Sequence, residues 1–388
     1  MDSSESKNQF QKNILFMNNK IKYFASALMV AAFGSAFTAC DDWTEPEHVD
    51  INYTNVEGAE NYPAYAAALR AYRNTDHTKV YAWVNINENG PVDQSQRLTS
   101  LPDSIDVIVL STPSKIHPTV LSDMKKVREV KGMKVIYQID FDDTKAAYAA
   151  LCENLAKERS DLELEYDALI NAAETDEEKA ALAAELEGKL KSLANPVFED
   201  YILEHLTSSL NYVKSNGLDG VLFAFDGKAS NHLNDAELAE YTAQQLVFLG
   251  AARDWHKRNP QLMYDFLGKP QNVMDKEMLN EFNMLFLRQG LDATNNNLYT
   301  YYLTLASVDG VPAERLGMMT TYISNDPEDT QTGVFTDGSL AVTGFTNWLV
   351  SADVACVGVQ NVQNDFFNRT FPYPHIRALI QAANPQIK

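Results

Sequence analysis

Asn216-Gly217-Leu218-Asp219-Gly220-Val221-Leu222-Phe223-Ala224-Phe225-Asp226-Gly227 reads as a turn, a short apolar strand and a carboxylate at the strand's end. Alternate side chains of a strand share a face. Leu222, Ala224 and Asp226 therefore point one way, and Val221, Phe223 and Phe225 the other. In a parallel barrel the second set packs under the outer helices, and Asp226 stands at the mouth, where the strand's carboxyl end opens.

Upstream, Tyr62, Tyr65, Ala66, Leu69 and Tyr72 have helical spacing. Lys79–Asn87 follows as a strand, with Val80, Ala82, Val84 and Ile86 on one face and Tyr81, Trp83, Asn85 and Asn87 on the other. Ile105–Leu110 is a second strand, Pro118–Lys131 a helix, and Lys134–Asp140 a third strand with Ile136, Gln138 and Asp140 on one face. This alternation points to a parallel α/β sheet. Residues 144–195 interrupt it with two Ala-, Leu-, Glu- and Lys-rich segments, Thr144–Ala173 and Asp176–Leu193. Thr175-x-x-Glu178 between them fits a capping box, so the expectation is an antiparallel helical hairpin inserted after the third strand. It serves as a scaffold or flap, or as a partner-docking arm. A helix from Pro196 to Ser215 delivers the chain to the quoted strand, and Asp235–Lys257 is the next helix. Met263–Phe266, Met284–Gln289, Met318–Tyr322 and Ala355–Gln360 are candidates for strands five to eight, with a closing helix at Pro374–Ala383. Asp326–Asp337 is a polar loop near the seventh strand's end, where active-site loops belong.

The stretch 216–227 resembles the fourth-strand signature of glycoside hydrolase family 18, the chitinases and endo-β-N-acetylglucosaminidases, of the form D-G-x-D-x-D-x-E. Asp219 and Gly220 match its first two positions; Leu222 and Ala224 stand for its next two aspartates, and Asp226 for its glutamate. The stretch LRAYRNTDHTKVYAWV, residues 69–84, is similar to the first helix and strand of a lipoprotein branch of that family. The resemblance implies a (β/α)8 TIM barrel over 59–388, with the hairpin as an insertion. It also implies chemistry in which the substrate's own acetamido oxygen attacks the anomeric carbon. The protein then supplies a proton from the glutamate and an aspartate that orients the acetamido group. Ala224 does neither, and Asp226 is one methylene shorter than Glu, roughly 1–1.5 Å short, a misplacement worth on the order of a hundredfold in rate. The resemblance thus implies a groove that binds N-acetylglucosamine-containing glycans such as N-glycans, with little or no hydrolysis. The alternatives are a weak endo-β-N-acetylglucosaminidase using Asp226 as acid, and a structural lipoprotein.

The chain has 388 residues, 45% of them hydrophobic and 22% charged, which suits one large domain or one domain with an appendage. A net charge of -21 argues against nucleic acid or anionic lipid as partners. Met17–Lys22 is a short basic region and Tyr23–Phe37 an apolar run too short for a permanent span, ending in Phe37-Thr38-Ala39-Cys40. The expectation is a signal peptide within residues 1–40 behind an upstream extension, with Cys40 in a lipobox where Phe37 replaces the usual Leu. Residues 41–58 form an acidic tether. Such acidic residues after the cysteine are similar to a surface-export signal of some Gram-negative lipoproteins, or are an ordinary linker. The expectation is a protein in the outer membrane of a Gram-negative bacterium, held by a lipid anchor alone, on the cell surface. Its partners would be a glycan ligand, an outer-membrane glycan transporter and the hydrolases of the same uptake system. Cys152 and Cys356 have no partner spacing and read as apolar filler.

Candidate ligand-binding residues are Trp83, Asn85, Gln138, Asp140, Asp226, Asp265, Arg288, Tyr322 and Gln360. Trp83 is either a stacking platform for a pyranose or part of the barrel core. Asp226 accepts hydrogen bonds from sugar, or caps the following turn. Asp140, Asp265 and Arg288 either meet the ligand or form a mutual ion network. By the resemblance, Tyr322 and Gln360 loosely match inward positions of the family's late strands. The places where the family carries a Tyr-bearing acidic motif on strand six and a Trp on strand eight hold Arg288-Gln289 and Gln360. The seven His are scattered, so no catalytic metal is expected, and no nucleotide fingerprint or other cofactor signature is present. Asn368-Arg369-Thr370 fits a glycosylation sequon.

Overall fold

A computed structural model describes residues 61–111, 115–288 and 297–385. The expected leader, Cys40 and the tether 41–58 lie outside the described residues. Eight strands close a barrel in sequence order, β1 to β8, with every neighbouring pair parallel. The strands are β1 (Lys79–Asn85), β2 (Val107–Ser111), β3 (Lys134–Asp140), β4 (Gly220–Phe225), β5 (Met263–Gly268), β6 (Leu285–Arg288), β7 (Leu316–Thr321) and β8 (Cys356–Gln360). The main helices are α1 (Tyr62–Tyr72), α2 (Pro118–Lys126), α3 (Phe141–Ala172), α4 (Asp176–Ser192), α5 (Phe198–Ser215), α6 (Asp235–Arg258), α7 (Leu298–Ala306), α8 (Ala341–Leu349) and α9 (Pro374–Ala383). This is a (β/α)8 barrel.

Strand parity sorts the core into two clusters. Inside the barrel pack Tyr81, Trp83, Val107, Val109, Ile136, Leu222, Ala224, Leu267, Phe286, Met319 and Cys356. The opposite faces, including Val80, Ala82, Val84, Val221, Phe223 and Phe225, pack under the helices. Both β1 and β4 therefore place their side chains as the alternation of their sequences requires.

At the N-terminal ends of the strands one device recurs. Asp106, just before β2, accepts the Val80 N–H of β1 at 2.8 Å and pairs with Arg73 and His77. Asp219, before β4, accepts the Val135 N–H of β3 at 2.8 Å and pairs with Arg128 at 2.6 Å. Asn283, before β6, accepts the Tyr264 N–H of β5 at 2.8 Å. Each fixes the start of one strand against its neighbour and satisfies an edge donor that would otherwise be orphaned.

The expected helix 118–131 is α-helical only to Lys126. Val127–Lys131 widens into a π turn ended by left-handed Gly132, and Lys131 there pairs with Asp103 at 2.7 Å. The insertion after β3 is the expected hairpin of α3 and α4. Asp140 caps α3 by accepting the Asp142 N–H, and the Thr175–Glu178 capping box opens α4. At 32 residues α3 is about 48 Å long, yet only Phe141, Thr144 and Tyr166 of it are buried, and none of α4. The arm is thus stitched mostly to itself, by Tyr166 OH to Glu185 at 2.7 Å and Arg159 to the Leu193 carbonyl at 2.6 Å. Tyr148 OH donates to the Pro196 carbonyl at 2.8 Å where the chain returns to the barrel.

Candidate functional site

The C-terminal ends of the strands form the mouth, and its floor is apolar. Ala224, Leu267 and Phe286 are fully buried there, and the Trp83 ring meets Phe286 edge-on at 5.4 Å. A Cβ at Gly358 of β8 would stand 2.4 Å from the Trp83 ring, so this glycine makes room for the indole. Trp83 Nε1–H donates to Gln138 Oε1 at 2.7 Å, which satisfies the indole's single donor. With Trp83 1% exposed, its ring belongs to the core and offers no open face for stacking. The Trp platform is corrected on that ground: the glycine opposite lets the ring lie down across the barrel.

Above this floor Arg288, the last residue of β6, reaches two carboxylates. Its Nη2 lies 3.2 Å from Asp140 Oδ2 at the end of β3, and its Nε 3.4 Å from Asp226 Oδ1 just past β4. Strands β3 and β6 are three places apart in a ring of eight, so this bridge runs close to the barrel's centre. The network is incompletely satisfied: Asp226 Oδ1 and Arg288 Nε are buried without a hydrogen-bond partner among the described residues, charge contact without alignment. Burial raises the Asp226 carboxyl above its ordinary value, against the opposing pull of Arg288 and then Lys269. Burial, then the negative charge of Asp140, raises Asp143 likewise. Gly227, at φ +60, turns the chain behind Asp226 and leaves space for the Tyr241 hydroxyl, which accepts the Lys228 N–H at 2.6 Å. The Asp226 carbonyl accepts from Asn272 Nδ2 at 2.7 Å.

A polar collar completes the mouth on the far side. Ser111 Oγ donates to Asn85 Oδ1 at 2.7 Å, and Asn85 Nδ2 donates to Asn361 Oδ1 at 3.1 Å. Gln360 lies beside Thr321, 3.5 Å between their side-chain oxygens. The structure therefore brings Asn85, Gln138, Asp140, Asp226, Arg288 and Gln360 to one mouth. Ser111, Thr321, Asn361 and Tyr301 were not foreseen; Tyr301 donates to the Arg288 carbonyl at 3.1 Å. Ser111 and Thr321 are the terminal inward residues of their strands, a parity signal available in the sequence.

Two expected residues lie elsewhere. Asp265 is the third residue of β5, level with Leu222, and is wholly buried beneath the floor. It accepts from Tyr81 OH and from the Met284 N–H, each at 3.1 Å, and burial pushes its carboxyl up to about 7. The strand runs on past the expected Met263–Phe266 to Gly268, so three of its residues follow Asp265 and sink it. Tyr322 lies on the outer side of the barrel wall because Met319 points inward and parity sends Tyr322 out. There its hydroxyl is 3.2 Å from His375 Nδ1, and His375 in turn lies 2.8 Å from Asp365, which caps α9.

A groove of about 500 Å³ flanks the mouth between α3, α5 and α6, bordered by Phe141, Tyr148, Phe198, Lys228 and Tyr241. A cavity of about 1000 Å³ lies at the opposite, N-terminal end beside His77, Lys79 and Asp353. Among the described residues no three His, Cys, Asp or Glu gather closely enough to hold a metal ion, and no helix is long and apolar enough to cross a membrane.

A closed parallel barrel with an aspartate directly beyond its fourth strand and polar groups ringing that same mouth is a (β/α)8 barrel with its candidate site at the strands' C-terminal ends. The sequence matches glycoside hydrolase family 18, BT1044-like, over residues 44–161 and 156–382, and the chain belongs to that family. Among solved structures it is similar to BT1044 in a selenomethionine form bearing a Glu→Gln change, at 14% identity and a TM-score of 0.53, covering 85% of this chain and 95% of that one. It is also similar to apo endo-β-N-acetylglucosaminidase from Cordyceps militaris, at 13% identity and a TM-score of 0.52, covering 83% of this chain and 96% of that one. At these identities the likeness is one of fold. No curated protein sequence matches the chain.

Proposed function

We propose that this family 18 member binds N-acetylglucosamine-containing glycans without cleaving them at enzymatic speed, while held at the outer-membrane surface by a lipid on Cys40. In this reading it holds glycans for a neighbouring transporter and for the hydrolases of the same uptake system. The observation that carries the reading is the inner face of β4: Leu222 and Ala224 point into the barrel where the family's signature has aspartates, and Asp226 contacts Arg288. A methyl group cannot orient an acetamido oxygen or stabilise a cation, whereas the collar of Asn85, Gln138 and Gln360 can exchange hydrogen bonds with sugar hydroxyls. The glycan class is taken from the family and from the activity named for the Cordyceps enzyme.

The test is retention of the purified chain on N-glycan, chitin and mucin ligands, run beside an assay for glycan release. Retention without release is expected; absence of retention on all three overturns the binding reading and leaves a structural lipoprotein. The raised carboxyl of Asp226 supports a second reading, weak hydrolysis with Asp226 as general acid. Release of glycan from a glycoprotein that disappears in Asp226→Asn establishes that reading instead.

A further inference from the structure

Among the described residues only two phenylalanines stand exposed, Phe367 at 70% and Phe371 at 47%. Both sit on the connection between β8 and α9, which crosses the rim of the mouth, and every residue from 367 to 372 is exposed. The connection is pinned from three sides. Asn361, in the left-handed region at φ 59, bonds Asn85 at the end of β1. Asn364 Nδ2 donates to the Ile323 carbonyl beyond β7 at 2.7 Å, and Asn325 Nδ2 donates to Asn364 Oδ1 at 2.8 Å. Asp365 accepts the first N–H groups of α9. Phe366 lies 5.4 Å from the buried Tyr373 ring and meets Phe367 edge-on at 4.9 Å. Two large apolar rings are thus displayed to water on a segment whose base is fixed, an arrangement that adds nothing to the core and marks a contact surface. Fixed aromatic rings bind with little loss of conformational freedom.

The inner mouth offers a ligand less. Arg288 is tied to both Asp140 and Asp226, so its guanidinium engages its charge across the mouth, and the floor residues Ala224 and Leu267 are buried. The floor's own aromatic, Trp83, is buried. A pyranose presents a face of C–H groups edged by hydroxyls. That suits a flat apolar ring flanked by polar side chains, which here are Asn368, Arg369 and Thr370. Resting on the glycan-binding reading above, we propose that the glycan is held at the β8 rim, with pyranose rings stacked on Phe367 and Phe371, above the polar collar rather than on the barrel floor.

The experiment titrates the full chain with chitotetraose and with a biantennary N-glycan. It compares the unaltered protein, a Phe367→Ala/Phe371→Ala pair, a Phe367→Tyr/Phe371→Tyr pair and Arg288→Ala, with thermal melts alongside. The alanine pair loses at least about tenfold in affinity, with an unchanged melting temperature because both rings are exposed. The tyrosine pair stays within about threefold of the unaltered chain, and the alanine pair loses more affinity than Arg288→Ala does. Unchanged binding by the alanine pair, or a loss confined to Arg288→Ala, puts the ligand on the floor and overturns the proposal while the glycan reading stands. If the unaltered chain binds neither probe, the glycan reading itself fails and takes this site with it.

Discussion

The two ends of the barrel handle buried charge differently. At the N-terminal end Asp106 has Arg73, His77 and the Val80 N–H around it, and Asp219 has Arg128, Lys134 and the Val135 N–H. At the C-terminal end Asp226 Oδ1 and Arg288 Nε face each other at 3.4 Å without a proper hydrogen bond. The first end reads as structure: each carboxylate ties strand to strand. Arg73 Nε and Arg128 Nη2 lack a partner at the first end too, so the difference lies in the carboxylates. Among the described residues Asp226 alone of these leaves a buried oxygen unbonded, at the end where such barrels carry their sites. Between the two lies Asp265, fully paired but with burial holding its carboxyl up to about 7.

The same substitution at the two ends tests this contrast most directly. Asp106→Ala strands the buried Arg73 and the Val80 N–H and is expected to cost about 3–5 kcal/mol in urea unfolding. A loss near zero would erase the distinction. Asp265→Asn probes the middle. A carboxyl raised in the fold holds its proton more tightly folded than unfolded, so the fold is relatively favoured below the unfolded value near 4 and loses stability as pH rises towards about 7. Asparagine stays neutral and can keep both partners. The variant should therefore unfold with a flatter profile between about pH 4 and 7 and be more stable than the unaltered chain at pH 8, by up to about 4 kcal/mol. Parallel profiles for the two proteins would show that Asp265 does not carry this dependence. The smallest effect belongs to the mouth: Asp226→Ala should change stability by less than about 1 kcal/mol, because its pair with the partly exposed Arg288 is poorly aligned and screened by water. A loss as large as that of Asp106→Ala would make the mouth a structural element too.

Alternating helices and strands point to a parallel α/β sheet and apolar alternation orients β1 and β4, while closure into a barrel was legible only through the family resemblance of residues 216–227 and 69–84. The hairpin was legible through Thr175 and Glu178, whose reciprocal bonds mark a helix start whatever the surroundings. Reading failed where neighbours on opposite faces look alike. In Met318-Met319-Thr320-Thr321-Tyr322 both faces carry Met and Thr, so nothing in the pattern reveals which way Tyr322 turns. Depth was as hard to read as direction. Asp265 and Asp140 each sit in an apolar run, but three further strand residues bury the first, while the second ends its strand and caps a helix. Trp83 needed knowledge of Gly358, nearly three hundred residues away. Phe367 and Phe371 carried no warning, since in composition an aromatic on a rim loop is indistinguishable from one in the core.

The arm formed by α3 and α4 leaves and rejoins the barrel at neighbouring points, with Tyr148 bonded to Pro196 across the gap. Chain outward and chain homeward therefore run as one stalk, and everything beyond that clasp is a detachable branch. Its length is free to change over evolutionary time without shifting the register of a single strand, and a fluorescent reporter spliced at its tip would leave the barrel's pairing untouched.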